Sequence, residues 1–560
     1  MTNLRKALGS LLALITLFAL VGCAQLPRSG AIHQGPSVRN GLSSDYLYYS
    51  PSGPVAGQDI RGVLNGFINA ATGPQNDYAV AREFLTGQLR TSWSPNDEVL
   101  IQQGSLDTAV SSDNTATVTV GVSARIDVNG HYEAQPDGTK RVLQFAFKKI
   151  KNQWRISAAP NVTVLIRPVF DVIFHSYSVY YFDHSFNYLV PDLRWFPARS
   201  STATRLVTAI LNGPSSWLAG ATEQTMPYDT KLAIDAVGID GNTAVVNLNA
   251  AALRSTQSQR QYFKAQLKAT LTQLSGVTKV QILIERSPQQ VADFTPASAL
   301  GASYSPVAMV DGALTQLSAP AGLQISGTRS LIRQVGATDF AVTADKHLLA
   351  LLSAKGVYRV RLDQSTPTPE LVDGRRNLLK PLFDARGILW TVSGDGLSSI
   401  QATPESGNTV WLNVPWLANY KIRDYALSNE GARIALVLEN KKGSDKVVLA
   451  SISRNKLGIP ISIGNPIVIP SQAHMVSVDW SGETNLLALS TTATGDSTVQ
   501  LLPLSGLAKS VGTLSNGSRV MAADGGANVF VLTSAKTLLQ FRGYAWIVLA
   551  DRVDAAHLPN

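Results

Sequence analysis

DFAVTADKHLLALL, residues 339–352, places one apolar run (Asp339-Phe340-Ala341-Val342) before another (Leu348 to Leu352) across a polar turn, and the arrangement returns down the chain. Leu382-Phe383-Asp384 precedes Ile388-Leu389-Trp390, and Tyr425-Ala426-Leu427-Ser428 precedes Ile434 to Leu438. Val478-Asp479-Trp480 precedes Leu486 to Leu489, and Val520-Met521-Ala522 precedes Val529 to Leu532. With Val342, Phe383, Ala426, Val478 and Ala522 taken as equivalent, the steps are 41, 43, 52 and 44 residues. Short strands returning every roughly 40–45 residues, joined by Asp-Gly, Asn-Glu-Gly or Ser-Gly turns, are the pattern of β-propeller blades. Residues 305–555 are predicted to form such a ring. Five repeats are visible, and Val307 to Leu317 supplies a strand that closes the ring with the C-terminal sequence, so five to six blades are expected.

Upstream the period changes. In residues 188–290, Leu206, Val207, Ile210 and Leu211 make a helix that stops at Asn212-Gly213-Pro214. Leu232 to Ala236 and Ala244 to Leu248 read as strands around the Asp240-Gly241-Asn242 turn. Phe263, Leu267, Leu271 and Leu274 give a helix ended by Gly276, and Val280 to Ile284 closes the unit. This alternation predicts an α/β sandwich. The order Leu189-Val190-Pro191, Leu211-Asn212-Gly213-Pro214, Thr225-Met226-Pro227-Tyr228-Asp229-Thr230, Ala244-Val245-Val246-Asn247-Leu248, Thr270-Leu271-Thr272 and Gly276-Val277 resembles GerMN domains, for which no catalytic residues are established.

Residues 58–187 read as an α+β module. Ile60, Val63, Leu64, Phe67 and Ile68 recur at helical spacing, and Tyr78, Ala81, Phe84 and Leu85 mark a second helix. From Thr115 to Val128 the even positions are apolar and the odd ones mostly polar, so a long half-buried strand is expected. Val142 to Ile150 and Trp154 to Ser157 add two strands joined by a Lys-Asn turn. Helices followed by a long antiparallel sheet resemble the cone of NTF2-like domains. No acid–histidine pair is suggested within the segment, so a platform is expected rather than a ligand pocket.

The chain opens MTNLRKALGSLLALITLFALVGC. Arg5 and Lys6 precede an apolar run, Leu8 to Leu20, that is shorter than the roughly 20 residues of a membrane span. Leu20-Val21-Gly22-Cys23 matches a lipobox, so residues 1–22 are expected to be a cleaved signal and Cys23 the lipidation site. Cys23 is the sole cysteine, which excludes a disulfide-held fold. Residues 23–57, rich in Gly, Pro and Ser, read as a lipidated N-terminus and flexible tether. The expected location is the extracytoplasmic face of the cell membrane, held there by lipid.

The formal charge is +9, and loss of Arg5 and Lys6 with the signal leaves +7. No basic stripe accompanies this modest charge, so nucleic acid is not an expected partner. Phe145-Ala146-Phe147-Lys148-Lys149-Ile150-Lys151 is the most basic stretch; it alternates like a strand, its lysines solvated or facing anionic lipid or wall polymer. The histidines (His33, His131, His175, His184, His347, His474, His557) show no metal-ligand spacing. Ser453-Arg454-Asn455-Lys456 fits Ser-x-x-Lys but lacks a Lys-Thr-Gly partner. Ser393-Gly394-Asp395-Gly396 and Asp524-Gly525-Gly526 read as hairpin turns rather than calcium loops. Trp390 and Trp480 are expected to pack between blades, while Trp411 and Trp416 stay open to sugar stacking. No catalytic, cofactor-binding or metal-ligating residue is expected, and the chain is not read as an enzyme.

The mature chain as a whole, from lipobox through N-terminal module and GerMN domain to propeller, resembles the LpqB lipoproteins of actinobacteria. The resemblance implies an accessory role: association with the extracellular part of the MtrB sensor histidine kinase and modulation of the MtrA–MtrB two-component pathway, which governs cell-wall and division functions. A receptor for a wall polymer or small envelope ligand stays open as an alternative, and a propeller hydrolase as a third.

Overall fold

Burial alternates without a break along the strand Thr115–Asp127, as its apolar even positions require. The computed structural model describes residues 51–199, 201–298, 305–317, 322–396, 399–523 and 528–559. Cys23, residues 24–50 of the expected tether and the Asp524-Gly525-Gly526 turn lie outside the described residues.

The first module begins with α1 (Ile60–Ala70), capped by Asp59, then α2 (Ala79–Arg82) and α3 (Gly87–Ser92). Its strands are β1 (Glu98–Gln102), β2 (Asp107–Val110), β3 (Thr115–Asp127), β4 (Tyr132–Ala134), β5 (Lys140–Ile150), β6 (Gln153–Ala158) and β7 (Val162–Ile166). They form one sheet in the order β6-β5-β3-β1-β7, with β2 and β4 also paired to β3. The helices cover one sheet face: Val63, Leu64, Phe67 and Phe84 pack on Val118, Val120, Val122, Phe145 and Ile156. The Lys-Asn turn is as expected, with Lys151 and Asn152 both at positive φ, the geometry of a tight hairpin.

After α4 (Arg167–Ile173) come β8 (Phe174–Asp183) and β9 (Leu189–Pro197), an antiparallel pair. Here the expected boundary at residue 187/188 moves. Val179 and Tyr181 of β8 are buried with α5 (Thr202–Asn212) and α6 (Gln257–Leu271), so β8 belongs to the second module. Gly213 ends α5 at φ +93°, as its stop signal requires. A capping box of Thr256 and Gln259 starts α6, which crosses between the parallel strands Thr243–Leu248 and Lys279–Ile284. Leu232 to Ala236, expected as a strand, makes only an isolated bridge from Leu232 to Leu248.

The remaining described residues form six consecutive sheets arranged as a β-propeller. The innermost strands of five are Ala337–Val342, Leu382–Phe383, Tyr420–Leu427, Met475–Trp480 and Gly517–Ala523. The sixth takes Val553–His557 as its innermost strand, paired antiparallel with Val307–Val310, so the two ends of this region close on one another. The register of the repeats needs one correction. Val342, Phe383, Leu427, Trp480 and Ala522 are the residues that correspond, so the equivalent positions lie one residue after Ala426 and two after Val478. Bulges in the first strands hide this slip, because an inserted residue shifts alternation without altering composition.

Candidate functional site

Four of the innermost strands carry a bulge just before an inward position, between Ala337 and Asp339, Ile422 and Asp424, Met475 and Ser477, and Gly517 and Arg519. The residue after each bulge is Asp339, Asp424, Ser477 or Arg519, and Lys380 joins them from the segment before Leu382–Phe383. Two residues further along their strands, Asp479 and His557 face the same axis. All six blades thus contribute, each with a titratable group at one of the two levels: Asp339, Lys380, Asp424, Asp479, Arg519 and His557.

These groups are spent on each other. Lys380 Nζ lies 2.7 Å from Asp424 Oδ1, while Asp424 Oδ2 accepts from the Ser477 hydroxyl at 2.6 Å and from Val478 N–H at 3.0 Å. Ser477 Oγ accepts from Val520 N–H at 3.2 Å, and Asp479 Oδ2 from Ala522 N–H at 3.0 Å. Side-chain oxygens of one sheet therefore bind backbone of the next and stitch the ring. On the other side of the axis, Arg519 grips Asp339 with both terminal nitrogens, and His557 Nε2 sits 2.9 Å from Asp339 Oδ1. Burial alone would raise the Asp339 carboxyl, but Arg519 and His557 reverse this and hold it well below the carboxylate range. Burial lowers His557, with Arg519 and Lys380 adding to the effect and Asp339 opposing it. Burial pushes Asp479 up to about 6; Asp424 adds to this, while Lys380 and the N–H groups of Trp480 and Ala522 oppose it.

The cavity enclosed by Lys380, Asp479, Arg519 and His557 has a volume of about 30 Å³. That holds one or two waters, whereas small-molecule sites run to roughly 300–1,000 Å³. The axis is therefore filled by its own ion pairs. It does contain a histidine–acid pair, which sequence reasoning had not assembled because Asp339 and His557 are 218 residues apart. The first module, where no acid–histidine pair was expected, also holds one: His131 Nδ1 lies 2.7 Å from Asp127 Oδ2 at the turn after β3. A larger groove of about 400 Å³ is open to solvent between Asp311, Asp551 and Asp554, with Arg552 on Asp311 and Lys536 on Asp554. Among the described residues no three His, Cys, Asp or Glu side chains converge as a metal site.

Trp390, Trp480 and Trp411 fall as expected, whereas Trp416, expected to be open, is partly buried against the core between the second and third sheets. Trp390 and Trp480 are buried, with Trp390 Nε1 donating to Asp384 Oδ2 at 3.0 Å and Arg433 lying 4.4 Å over the Trp480 ring. Trp416 Nε1 donates to the Gly464 carbonyl, while Trp411 is 59% exposed with Arg375 over its ring. Arg454 of the Ser-x-x-Lys match is buried against Asp384 at 2.7 Å, a structural role.

The modules are joined by polar contacts set in apolar surroundings. Arg386, from the second propeller sheet's first turn, pairs with Asp183 of the second module at 2.7 Å and lies over Tyr188. Tyr180 donates to Glu483 at 2.8 Å, and burial together with Glu483 keeps that hydroxyl protonated. Trp217 and Leu218 pack beside Ala432. At the other junction, the Trp195 backbone N–H donates to the Gly130 carbonyl at 2.8 Å. A Cβ on Gly130 would meet Trp195 O and the Phe196 ring at 2.9 Å, and its φ is +81°, so only glycine allows this approach. Sequence reasoning saw none of these contacts, since each joins elements of different modules.

Three family models match the chain in tandem. Residues 53–171 match the N-terminal domain of lipoprotein LpqB, 178–290 a sporulation and spore germination domain, and 312–559 the LpqB β-propeller domain. The chain belongs to the LpqB lipoprotein family. LpqB lipoproteins similar to it include that of Cutibacterium acnes, 23% identical, with 84% of each chain covered. That of Bifidobacterium longum is 25% identical over 79% of this chain and 77% of the relative. Among solved structures, the first GerMN domain of the sporulation protein GerM from Bacillus subtilis is 24% identical over 22% of this chain and 94% of its own, with a TM-score of 0.18. A putative TolB from Agrobacterium tumefaciens is 13% identical over 40% of this chain and 84% of its own, with a TM-score of 0.28. The match that begins at residue 178 also places β8 with the LpqB chain's middle domain, in line with its packing.

Proposed function

We propose that this LpqB-family chain is a lipid-anchored, extracytoplasmic accessory protein that acts by contact on the extracellular domain of a two-component sensor kinase of the MtrB kind. Cys23 carries the acyl chains, and the protein is not an enzyme. The first module, read as NTF2-like, is a platform. The observation that carries this reading is the self-filled propeller axis: an enclosed space of about 30 Å³ leaves the outer surfaces as the means of action. A binder changes a kinase only by favouring one of its states, and confinement to the membrane raises its effective concentration there. The test measures binding of the purified mature chain to the kinase's extracellular domain, together with response-regulator phosphorylation in a deletion strain. Weak solution binding and altered phosphorylation are expected. No binding at high concentration with unchanged phosphorylation would shift the assignment to an envelope-ligand receptor.

A further inference from the structure

At the junction of the first and second modules two guanidiniums stand together without an acid of their own. Arg199 precedes α5, and Arg205 is the fourth residue of that helix. Arg199 Cζ lies 5.9 Å over the ring of Tyr78, a buried residue of the first module whose hydroxyl donates to Asn96 Oδ1 at 2.8 Å. Burial pushes that hydroxyl up to about 12, against the pull of Arg199 and then Arg205, so both cations sit close to it. Burial, and after it Arg199, holds Arg205 below its ordinary value. Among the described residues neither guanidinium makes an ion pair or a hydrogen bond. The Nε of each is buried with no acceptor, while the terminal nitrogens stay open to a ligand. Buried arginines elsewhere in the chain are paired: Arg194 with Asp192, Arg433 with Glu430 and Arg454 with Asp384. Asp77, the acid that acts on Arg205, already takes Arg82 at 2.6 Å. Three guanidiniums therefore share one carboxylate, an excess of two positive charges. The start of α5 adds to the excess, with neither an acid in its first turn nor a side-chain cap. The facing loop is strained: Asn76, Asp77 and Tyr78 are successive residues at φ 48°, 55° and 60°, a conformation that L residues adopt singly rather than in runs.

We infer that Arg199 and Arg205 form a binding site for a phosphoryl oxyanion, seated beside Tyr78 between the two modules. A guanidinium fork matches two oxygens of a phosphate, and a tetrahedral phosphate has oxygens enough for both forks. A phosphoryl group carries close to two negative charges at pH 7, which cancels the excess, whereas a carboxylate cancels only half of it. The group is either free phosphate or the phosphomonoester of a larger molecule. It touches residues of both modules, so its binding stabilises their packing.

The test is titration calorimetry of the purified mature chain with inorganic phosphate, glycerol 3-phosphate and acetate, at one ionic strength set with sodium chloride. Saturable binding of inorganic phosphate, absent for acetate and weakened at least roughly ten-fold in Arg199→Met and in Arg205→Met, is expected. Equal binding of glycerol 3-phosphate identifies a phosphoryl group carried on a larger molecule, and its exclusion identifies free phosphate. No phosphate binding, equal binding of acetate, or unchanged binding in both variants overturns the inference. Thermal unfolding separates a ligand site from a structural pair. Each methionine keeps the aliphatic packing and removes a repelled charge, so in phosphate-free buffer both variants should unfold at or above the wild-type temperature. Millimolar phosphate should then raise the wild-type Tm and leave those of the variants in place. Variants that unfold well below wild type without phosphate would show that the fold itself uses these charges, which also overturns the site.

Discussion

Trp195 Nε1 donates to the Ser505 hydroxyl at 2.8 Å, across 310 positions of sequence. The same indole packs 5.0 Å from Phe170 and 6.0 Å from Tyr132 of the first module, while its backbone bonds Gly130. One side chain of the middle module thus touches both neighbours. Replacing Trp195 by Ala is expected to cost about 3–5 kcal/mol and to split a shared unfolding transition into separate ones. A cycle of Trp195→Phe and Ser505→Ala in urea unfolding should give a coupling of about 0.5–1.5 kcal/mol. Additive effects would assign the contact no energy.

Arg386 is the cation of the second junction. It is close-packed: a Cβ on Gly458, which sits at φ +78°, would lie 2.8 Å from Arg386 Nε. Arg386→Met leaves the Asp183 carboxylate buried without its cation. We expect a loss of about 3 kcal/mol in urea unfolding, with Arg386→Lys recovering part of it. Asp183→Asn should cost less than Arg386→Met, because the loop N–H groups of Asn187 and Tyr188 still find an acceptor.

Stability should depend on pH through Asp479. Its folded pKa of about 6 lies above the unfolded value, so its contribution is full below about pH 4 and is lost as pH rises through 6. His557, held low, works the other way: stability falls as pH drops through about 6.5. The two oppose each other, so the comparison with Asp479→Asn isolates the carboxyl. The wild-type stability relative to this variant should fall between about pH 4 and pH 7 by at most about 3 kcal/mol. A constant difference would mean that Asp479 titrates normally.

Limited proteolysis should spare residues 287–297. Ser287–Pro288 pairs with Ile284 and Leu283, Lys264 holds Val291 O and Asp293, and Phe294 packs on Tyr262. The composition of residues 287–305, rich in Pro, Ser and Ala, by itself predicts cleavage there. Cleavage mapped by mass spectrometry within 287–297 would contradict this docking.

Cys23→Ala is expected to leave the chain unprocessed or unlipidated. Mass spectrometry of the wild-type mature protein should find acyl chains on Cys23, and an unmodified thiol there would refute the anchor.

Much of the architecture was legible because periodicity is local. The alternation from Thr115 to Asp127, the stop at Gly213 and the roughly 40-residue repeat each follow from neighbouring residues, and the structure has all three. What the sequence could not place is non-local. The bulges that aim Asp424 and Ser477 at the axis insert a residue without changing composition, so Ala426 and Val478 were misregistered. Phe174–Asp183 reads equally as the end of one sheet or the start of another until its partner, Leu189–Pro197, is known. The axial network stayed invisible for the same reason: its members are single polar residues in separate apolar strands.

The pairing of Val307–Val310 with Val553–His557 has a consequence for biogenesis. A polypeptide that leaves the ribosome N-terminus first delivers the receiving strand some 240 residues before its partner. Until Val553–His557 arrives, the Val307–Val310 edge stands unpaired, and Asp339 waits without His557. Ring closure thereby waits for Val553–His557, and a chain cut before residue 553 has an open, protease-sensitive seam rather than a slightly shorter propeller.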